Sequence, residues 1–282
     1  MPTQTRTDAA SEFAQNGFYV ERGLFSADEC DRLIEHYMEL RKEERPGDFS
    51  GVDPASQDPL KRFPRMIHMH RWDSTSMEWA IDSRIDRVMV EILGQSPLMV
   101  QTMLYFKPAG ARGQALHQDN FYLRAQPGTC MAAWMALDDC DEENGCLQVV
   151  PGTQDLPMLC TVKADTSQSF TDVTVQLPEE MAAVPVIMKR GDVLFFNGSL
   201  VHGSFPNSTQ DRFRRSLIGH YVTGESEQVG QFYHPVYRMD GSLVELGVSP
   251  MAERCGTWVE KDGTPVVELI DTEEHDRLSR HE

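Results

Sequence analysis

The sequence is poor in the features that mark membrane and secreted proteins. No window approaches 18 uninterrupted apolar residues, which excludes a transmembrane helix. The first residues, MPTQTRTDAASEF, contain no apolar segment typical of a secretory signal. The six cysteines form no CxxC pair. We therefore expect a cytoplasmic protein with reduced cysteines, and a Cys140–Cys146 disulfide is the less favoured alternative.

Basic residues are scarce relative to acidic ones. The chain has 26 lysines and arginines against 44 aspartates and glutamates, which gives a formal net charge of −18. A field of this sign repels nucleic acid and anionic membrane surfaces, so we expect neither as a partner. The chain has 282 residues, of which 40% are hydrophobic and 25% charged. These values are typical of a globular protein that buries a substantial core without disulfides.

The first third of the chain carries helical signals. Ser26 and Glu29 form a capping box, which predicts a helix that runs to about Arg41. A further helix fits residues 84–93, with Gly94 as its end. The other elements expected here are a helix over 9–16, a strand over 18–25 and a loop over 45–60.

From Pro97 the pattern changes to short apolar runs separated by turn residues, which is typical of strands. The runs lie at 97–108, 129–138, 146–150, 184–189, 192–197 and 215–222. Asp240-Gly241 and Asp262-Gly263 predict two later hairpins. Helices followed by many short strands favour an α+β, mainly β, chain with a jelly-roll or cupin-like barrel.

We expect a single domain over residues 1–282. Its helical part would span about 9–95 and its barrel about 97–223. A C-terminal extension over 224–282 would carry the two hairpins, either as a cap on the barrel or as an oligomer contact. The oligomeric state is not encoded in any pattern that we recognise.

Three polar residues indicate a metal centre. His117 and Asp119 are two residues apart, and alternate residues of a strand face the same side, so both can face one point from the start of a strand. His202 follows the apolar run VLFF and the turn NGS, which suits a strand end at a barrel mouth. Two imidazoles and one carboxylate leave three positions of an octahedral metal open, as in non-haem Fe(II) oxygenases. The pattern predicts these three residues as iron ligands.

Other interpretations of the histidines stay open. His68-Met69-His70 is a rival pair, which could bind metal or supply polar groups to a substrate pocket. The remaining histidines have no comparable context, and we expect them on the surface or hydrogen-bonded in the core: His36, His220, His234, His275 and His281.

Three segments resemble the phytanoyl-CoA dioxygenase family of Fe(II)/2-oxoglutarate oxygenases. They are QTMLYFKP at 101–108, LHQDNFYL through CLQVVPGT within 116–153, and VHGSFPNSTQDRFRRSL at 201–217. The resemblance extends over roughly residues 10–225 in order. It implies a double-stranded β-helix as the fold of the barrel. It also implies that the HxD pair and the later histidine are the family's iron ligands.

The resemblance further implies a site for the co-substrate. Arg214 matches the residue that pairs with the distal carboxylate of 2-oxoglutarate, but the segment is one residue longer than usual, which leaves Arg215 as the alternative. A guanidinium binds a carboxylate through two parallel hydrogen bonds, and a buried arginine without an anion would be costly. The other matches are Ser204 for the same carboxylate, Met103 and Trp134 as pocket lining or plain core, and Gln101 and Thr102 beside co-substrate or product.

The chemistry that the resemblance implies uses Fe(II), 2-oxoglutarate and O₂. The co-substrate would become succinate and CO₂ while a substrate C–H bond is hydroxylated. Related halogenases have a small residue where this chain has Asp119, so the carboxylate favours hydroxylation or a related oxidation such as desaturation. Two other classes stay open: a metal-binding cupin-like module without turnover, and another barrel metalloenzyme such as an isomerase or hydrolase.

The expected partner is a small molecule whose identity the motifs do not encode, because specificity lies in variable loops. Asn120 and Tyr122 lie next to the predicted ligands and could reach the substrate. A basic cluster could bind a carboxylate or phosphate, or be a solvated surface: Arg65, His68, His70 and Arg71.

Overall fold

The structure is a computed structural model that describes residues 8–43 and 51–272. Helices lie mainly in the first third of the chain. They are α1 (Ala9–Asn16), α2 (Ala27–Leu40), α3 (Pro59–Arg62), α4 (Ser74–Ala80), α5 (Ser83–Leu93) and α6 (Asn120–Leu123), with short 3-10 turns at Met69–Arg71 and Gln231–Tyr233. Within the two described ranges, no helix has the length and apolar character needed to cross a membrane.

Strands form most of the remaining regular structure. The first nine are β1 (Phe18–Glu21), β2 (Met66–Ile67), β3 (Leu98–Tyr105), β4 (Gln114–His117), β5 (Cys130–Ala136), β6 (Leu147–Val149), β7 (Thr161–Lys163), β8 (Val173–Val175) and β9 (Val184–Pro185). The others are β10 (Val193–Asn197), β11 (His202–Ser204), β12 (Ser216–Val222), β13 (Gln228–Val229), β14 (Val236–Arg238), β15 (Leu243–Val244), β16 (Gly247–Val248), β17 (Arg254–Lys261) and β18 (Thr264–Asp271).

Two antiparallel sheets make up the centre of the molecule. The larger has eight strands in the order β1-β10-β5-β12-β3-β14-β15, with β2 also paired to β3. The smaller has four strands in the order β4-β11-β6-β9. Most neighbours in these sheets are distant in sequence, as in Greek-key and jelly-roll folds. The predicted α+β, mainly β, class is confirmed.

Strand β5 shows how the layers pack, because its alternate residues face opposite sides of the sheet. Trp134 faces the smaller sheet and packs in one cluster with Leu147 and Val149. The next residue, Met135, faces the helical layer and packs in another cluster with Val88 of α5. The larger sheet is therefore covered on one face by helices and on the other by the smaller sheet.

The predicted helix ends are confirmed. Ser26 accepts a hydrogen bond from the Glu29 N–H, and the Glu29 side chain accepts one from the Ser26 N–H. Gly94 ends α5 in the left-handed region at φ 77°, which glycine adopts at little cost. Arg84 of α5 lies 2.9 Å from Glu29, so an ion pair connects α5 to the start of α2.

Several predicted boundaries differ from the structure. The strands expected over 18–25 and 184–189 are confined to β1 and β9. The loop expected over 45–60 runs into α3, and its residues 45–50 lie outside the described residues. The short elements α4, β4, β7 and β8 were not expected, because three to seven residues are too few for apolar periodicity to be recognised.

Both predicted C-terminal hairpins are present. Strands β14 and β15 flank Asp240-Gly241 and extend the larger sheet beside β3. Strands β17 and β18 flank Asp262-Gly263 and form a separate two-stranded sheet. That residues 1–282 form one domain with the predicted internal limits stays a prediction.

One expectation about the cysteines is wrong. Cys160 and Cys255 form a disulfide across a sequence separation of 95 residues. It joins the start of β17 to the segment before β7, where Leu159 and Gly256 also form a β-bridge. The other cysteines are free and buried, so the alternative Cys140–Cys146 disulfide does not form: Cys30, Cys130, Cys140 and Cys146.

Candidate metal centre

His117, Asp119 and His202 converge on one point. One ligand atom from each lies within 4.8 Å of the others, and all three residues are buried. His117 ends β4, His202 begins β11, and the two are directly paired across neighbouring antiparallel strands. Among residues 8–43 and 51–272, this is the single group in which three or more potential metal ligands of these types come so close.

The local route to this convergence differs from the prediction. His117 lies at the end of a strand, and Asp119 has helical backbone angles of φ −62° and ψ −33° just before α6. The carbonyl oxygen of Asp119 accepts hydrogen bonds from the N–H groups of Tyr122 and Leu123. A strand-to-helix turn, and not strand alternation, therefore brings the carboxylate beside the imidazole.

Both ligand histidines are held in one tautomer. The Nδ1 of His117 lies 2.9 Å from the carbonyl oxygen of Ala115, and the Nδ1 of His202 lies 3.0 Å from that of Leu200. A carbonyl only accepts, so each Nδ1 carries the proton and each Nε2 presents a lone pair. These Nε2 atoms lie 3.4 Å and 3.6 Å from the carboxylate oxygens of Asp119.

The protonation states agree with this arrangement. Burial lowers the pKa of His202 to about 4, so the imidazole is neutral near pH 7. Burial alone would raise the pKa of Asp119, but His202 and His220 outweigh it and hold that pKa well below its ordinary value. A neutral imidazole of His202 and an ionised carboxylate thus face each other, and with the imidazole of His117 they form a donor set suited to a divalent cation.

His220 is a residue of this site that sequence reasoning missed. It lies on β12, and its Nε2 is 3.2 Å from Oδ2 of Asp119. A protonated Nε2 donates to the carboxylate and fixes its orientation. Strand alternation could have found it, because Ile218 and His220 both line the cavity beside the three residues.

A cavity of about 480 Å³ opens beside the three residues, and each of them lines it. Its deep part is apolar and is lined by Trp134, Leu147, Phe196 and Ile218, each at most 6% exposed. Its outer part is aromatic and charged, and is lined by Arg65, Tyr105, Tyr122, Phe170, Asp172, Phe232 and Tyr233. This gradient can hold a small molecule against the metal position and exclude water from the inner end.

The predicted co-substrate residues divide into two groups. Gln101, Met103 and Trp134 line the cavity. Arg214 is buried behind its wall, with its guanidinium carbon 5.2 Å from the ring centroid of Trp134. Ser204 lines a separate cavity of about 240 Å³.

The structure separates the two candidate arginines. Arg215 donates two side-chain hydrogen bonds to the carboxylate of Asp138, at 2.7 Å and 2.8 Å. Arg214 donates to the carbonyl of Gly145 and the hydroxyl of Ser216, and forms no ion pair with any residue that the structure describes. Of these two arginines, Arg214 is the buried one without an anion among the described residues.

Lys107 is a second buried cation that the sequence did not reveal, because lysine is mostly exposed. Its ammonium lies 2.8 Å from the hydroxyl of Ser204 and 2.6 Å from the carbonyl of Phe205. Lys107 and Arg214 both approach the carbonyl oxygen of Gly145. They therefore belong to one polar cluster.

The residues of the basic cluster do not form one site. Burial lowers the pKa of both His68 and His70 to about 3, and His70 is hydrogen-bonded to Thr102. Arg71 donates to the carbonyl of Phe232. Of this cluster, only Arg65 is among the cavity-lining residues.

Asn120 and Tyr122, which follow Asp119 in the sequence, make different contacts. Asn120 accepts a hydrogen bond from the Ala125 N–H, and this contact closes the turn after α6. Tyr122 lines the cavity, as expected for a residue on the substrate side.

Comparison with known proteins identifies the family. The family model for phytanoyl-CoA dioxygenase (PhyH) matches residues 13–216. The chain therefore belongs to the phytanoyl-CoA dioxygenase family. A rice protein named phytanoyl-CoA dioxygenase 1 is 29% identical over 143 residues, which cover 49% of this chain and 50% of that protein. A zebrafish protein, phytanoyl-CoA dioxygenase domain-containing protein 1, is 31% identical over 215 residues. The match covers 74% of this chain and 66% of the zebrafish protein.

A solved structure confirms the fold. The chain is similar to the non-heme alpha ketoglutarate dependent epimerase SnoN from nogalamycin biosynthesis, with a TM-score of 0.60 and 25% identity. The match covers 77% of this chain and 83% of SnoN. The double-stranded β-helix that the motifs implied is therefore confirmed. The chain spans only about half to two thirds of the length of the curated relatives above.

Proposed function

We propose that this protein is an Fe(II)- and 2-oxoglutarate-dependent oxygenase that hydroxylates a C–H bond of a small molecule and releases succinate and CO₂. The observation that carries the proposal is the convergence of His117, Asp119 and His202 at the wall of a 480 Å³ cavity. Membership of the phytanoyl-CoA dioxygenase family supports it.

The donor set fits the proposed iron. Two lone pairs on Nε2 atoms and an ionised carboxylate would repel each other in a buried site without a cation between them. Three protein ligands leave three octahedral positions, enough for a bidentate 2-oxo acid and O₂. The carbonyls of Ala115 and Leu200 keep both imidazoles oriented toward the metal position.

When bound, iron and 2-oxoglutarate would supply the oxidising power, with O₂ as oxidant. The residues of this chain supply position and shielding. Arg214, with Ser204, is proposed to hold the distal carboxylate of 2-oxoglutarate. Trp134 lines the cavity, and its ring centroid lies 5.2 Å from the guanidinium carbon of Arg214. Met103 and Gln101 line the same cavity and are proposed to contact the co-substrate.

Hydroxylation is the proposed outcome because Asp119 fills the coordination position that a halogenase leaves open. SnoN, which shares the fold, is named an epimerase. We therefore propose that the metal and the 2-oxo acid set the oxidant, and that the position of the substrate sets the product. For this chain the substrate is proposed to be a small molecule in the outer, aromatic part of the cavity.

The alternatives make different demands on the structure. A metal-binding module without turnover needs the three ligands but no counter-charge for an organic dianion. The buried, unpaired Arg214 counts against it. An isomerase or hydrolase of the same barrel type would likewise use the metal without 2-oxoglutarate.

An anaerobic titration tests the proposal. We expect Fe(II) protein to bind 2-oxoglutarate with a visible charge-transfer band, since a chelated 2-oxo acid absorbs there. His117→Ala, Asp119→Ala and His202→Ala should each abolish the band and, after O₂ is admitted with substrate candidates, succinate formation. His36→Ala is the control, because His36 on α2 pairs with Asp73 at the start of α4, and neither residue lines the cavity. If the wild type showed no band, the module without turnover and the isomerase or hydrolase would both be favoured over an oxygenase. If a variant kept the full band at limiting iron, the substituted residue would not be an iron ligand.

The remaining predictions concern partners and location. The net charge of −18 supports a small-molecule partner and counts against nucleic acid and anionic membranes. We also propose a cytoplasmic location, as expected in the sequence analysis. Immunofluorescence of the tagged chain would test the location, and signal confined to an organelle would contradict it.

A further inference from the structure

Arg214 and Lys107 form a pair of buried cations with no acidic partner. They are 3% and 2% exposed, and neither forms an ion pair with any described residue. Both approach the carbonyl oxygen of Gly145. Burying like charges together without an anion is unfavourable, so the cluster is built for a ligand that carries negative charge.

The Ser204 hydroxyl is fixed by its neighbours. Its oxygen accepts hydrogen bonds from the Lys107 ammonium at 2.8 Å and from the Gln114 N–H at 3.2 Å. No acceptor for its own proton is found among the residues that the structure describes. With both lone pairs occupied, the O–H of Ser204 is left to donate to a ligand oxygen.

Arg214 also has a donor group that no described residue uses. Its Nε donates to Gly145 at 2.9 Å and its Nη1 donates to Ser216 at 2.7 Å. In the described part of the chain, Nη2 has no hydrogen-bond partner. Arg214 therefore offers the N–H groups of Nη2 and Ser204 offers its O–H, and Lys107 connects the two residues through Gly145 and the Ser204 hydroxyl.

The position of Lys107 is tightly constrained. A Cβ at Gly145 would lie 2.8 Å from Cδ of Lys107 and 2.6 Å from the carbonyl oxygen of Phe205, so only glycine admits the lysine stem. Lys107 itself has φ 31°, in a region that a side-chain-bearing residue adopts only at a cost. Such strain persists where the surrounding structure requires the side chain in one place.

We propose that Lys107 is a positioning residue of the co-substrate site: it directs the Ser204 hydroxyl and adds a second positive charge beside Arg214 for the distal carboxylate of 2-oxoglutarate. This inference rests on the proposed function. Burial, and then Arg214, lower the pKa of Lys107, and burial lowers that of Arg214. Both directions agree with a buried pair of like charges that an anion would stabilise.

The test crosses one side chain with one ligand group. The variant Lys107→Met keeps the length of the side chain and removes the charge. The ligand pair is 2-oxoglutarate and 2-oxopentanoate, which has the same carbon chain with a methyl in place of the distal carboxylate. Kd would be measured for both on Fe(II)-loaded wild type and variant without O₂, so that no turnover enters the readout.

We expect Lys107→Met to weaken 2-oxoglutarate binding by about 10- to 100-fold and to change 2-oxopentanoate binding less than about twofold. Ser204→Ala should show the same ligand dependence. The double variant should lose less than the two single losses combined, because the lysine acts partly through the hydroxyl. Lys189→Met, an exposed lysine paired with Asp139, is the matched control and should alter neither Kd.

Four outcomes would overturn the inference. Equal weakening of both ligands would make Lys107 a purely structural clamp on Gly145 and Phe205. Unchanged 2-oxoglutarate affinity would remove it from the site. If Lys107→Met does not fold, Ser204→Ala decides alone, and its failure to discriminate the ligands contradicts the proposal. A wild type that binds neither 2-oxo acid refutes the proposed function itself, and the inference with it.

Discussion

His220 shows how one side chain outside the ligand set can control the proposed iron site. Its Nε2 lies 3.2 Å from the Asp119 carboxylate. Loss of such a supporting hydrogen bond typically lowers metal affinity 10- to 100-fold. We therefore expect His220→Leu, which removes the donor, to weaken Fe(II) binding by about that factor, as measured by competition with a chelator.

A matched control is available on α2. His36 also directs its Nε2 to a carboxylate, that of Asp73, at 3.1 Å but outside the cavity. His36→Leu should change thermal stability and leave Fe(II) affinity as in the wild type. If both variants behaved alike toward iron, the contact between His220 and Asp119 would have no special part in metal binding.

Arg214 and Arg215 are neighbours with different partners, so their substitution should separate affinity from stability. Arg214→Met should raise the Kd for 2-oxoglutarate by about 100-fold, as expected when a buried charge pair of about 3 kcal/mol is lost. Arg215→Met should leave that Kd nearly unchanged and lower the urea midpoint, because it removes the pair with Asp138. Titration and urea unfolding of both variants would measure this. The reverse ranking would move the carboxylate clamp to Arg215.

The same residues show what a sequence can predict about a site. Strand alternation predicts only that one of two neighbouring arginines faces the interior, and the structure shows that Arg214 is the buried one. Lys107 could not be foreseen, since burial of a lysine depends on the Gly145 backbone, which is distant in sequence. Asp119 was placed correctly for the wrong reason, because a turn and not a strand directs it.

At the scale of elements, the sequence predicts the helix ends correctly but does not predict the short strands. The capping box at Ser26 and the glycine after α5 are decided by neighbouring backbone groups, so the sequence contains them in full. Strand β4 has only four residues and no apolar alternation, and it exists because β11 pairs with it. Pairing between distant strands is a property of the fold and leaves little local trace.

The ion pair between α2 and α5 gives a pH prediction. Hydrogen bonding to Arg84 lowers the pKa of Glu29 from 4.5 to about 2. A carboxyl group with a lowered folded-state pKa stabilises the fold above its unfolded pKa, and this contribution is lost as pH falls through the folded value. Glu29→Gln should therefore cost stability above pH 4.5, and its urea midpoint should approach that of the wild type as pH falls toward 2.

Glu35→Gln is the control for this pH dependence. Glu35 lies on the same helix and forms no ion pair within the described ranges. Its urea midpoint should follow the wild-type midpoint at every pH. A constant gap between Glu29→Gln and the wild type down to pH 2 would contradict the role of the ion pair.

At the scale of the whole molecule, the order of strands places the site. His117 and His202 are 85 positions apart in numbering but adjacent because β4 and β11 are neighbours in the smaller sheet. Helices cover one face of the larger sheet, so the cavity opens on the other, between the sheets. The combination of motifs predicted this arrangement, whereas apolar periodicity alone predicted only the class of fold.

The disulfide joins two parts of the molecule that no sequence pattern connects. Cys160 and Cys255 are separated by 95 residues, and spacing alone cannot pair cysteines at that distance. Closing a loop of this size stabilises a fold by about 4–5 kcal/mol in the chain-entropy model. We expect Cys255→Ser to lower the free energy of unfolding by about this amount, measured by urea unfolding under non-reducing conditions.

The redox state also tests the proposed location, because disulfides persist in oxidising compartments and are rare in the cytosol. A reductant should destabilise the wild type to the level of the double variant Cys160→Ser/Cys255→Ser and leave that variant unchanged. If the reductant left the stability of the wild type unchanged, the disulfide would not be stabilising. Thiol alkylation of acid-quenched cells then separates two outcomes. Protected Cys160 and Cys255 would argue against a reducing cytoplasm, and alkylated thiols would mean that the protein functions in its reduced form there.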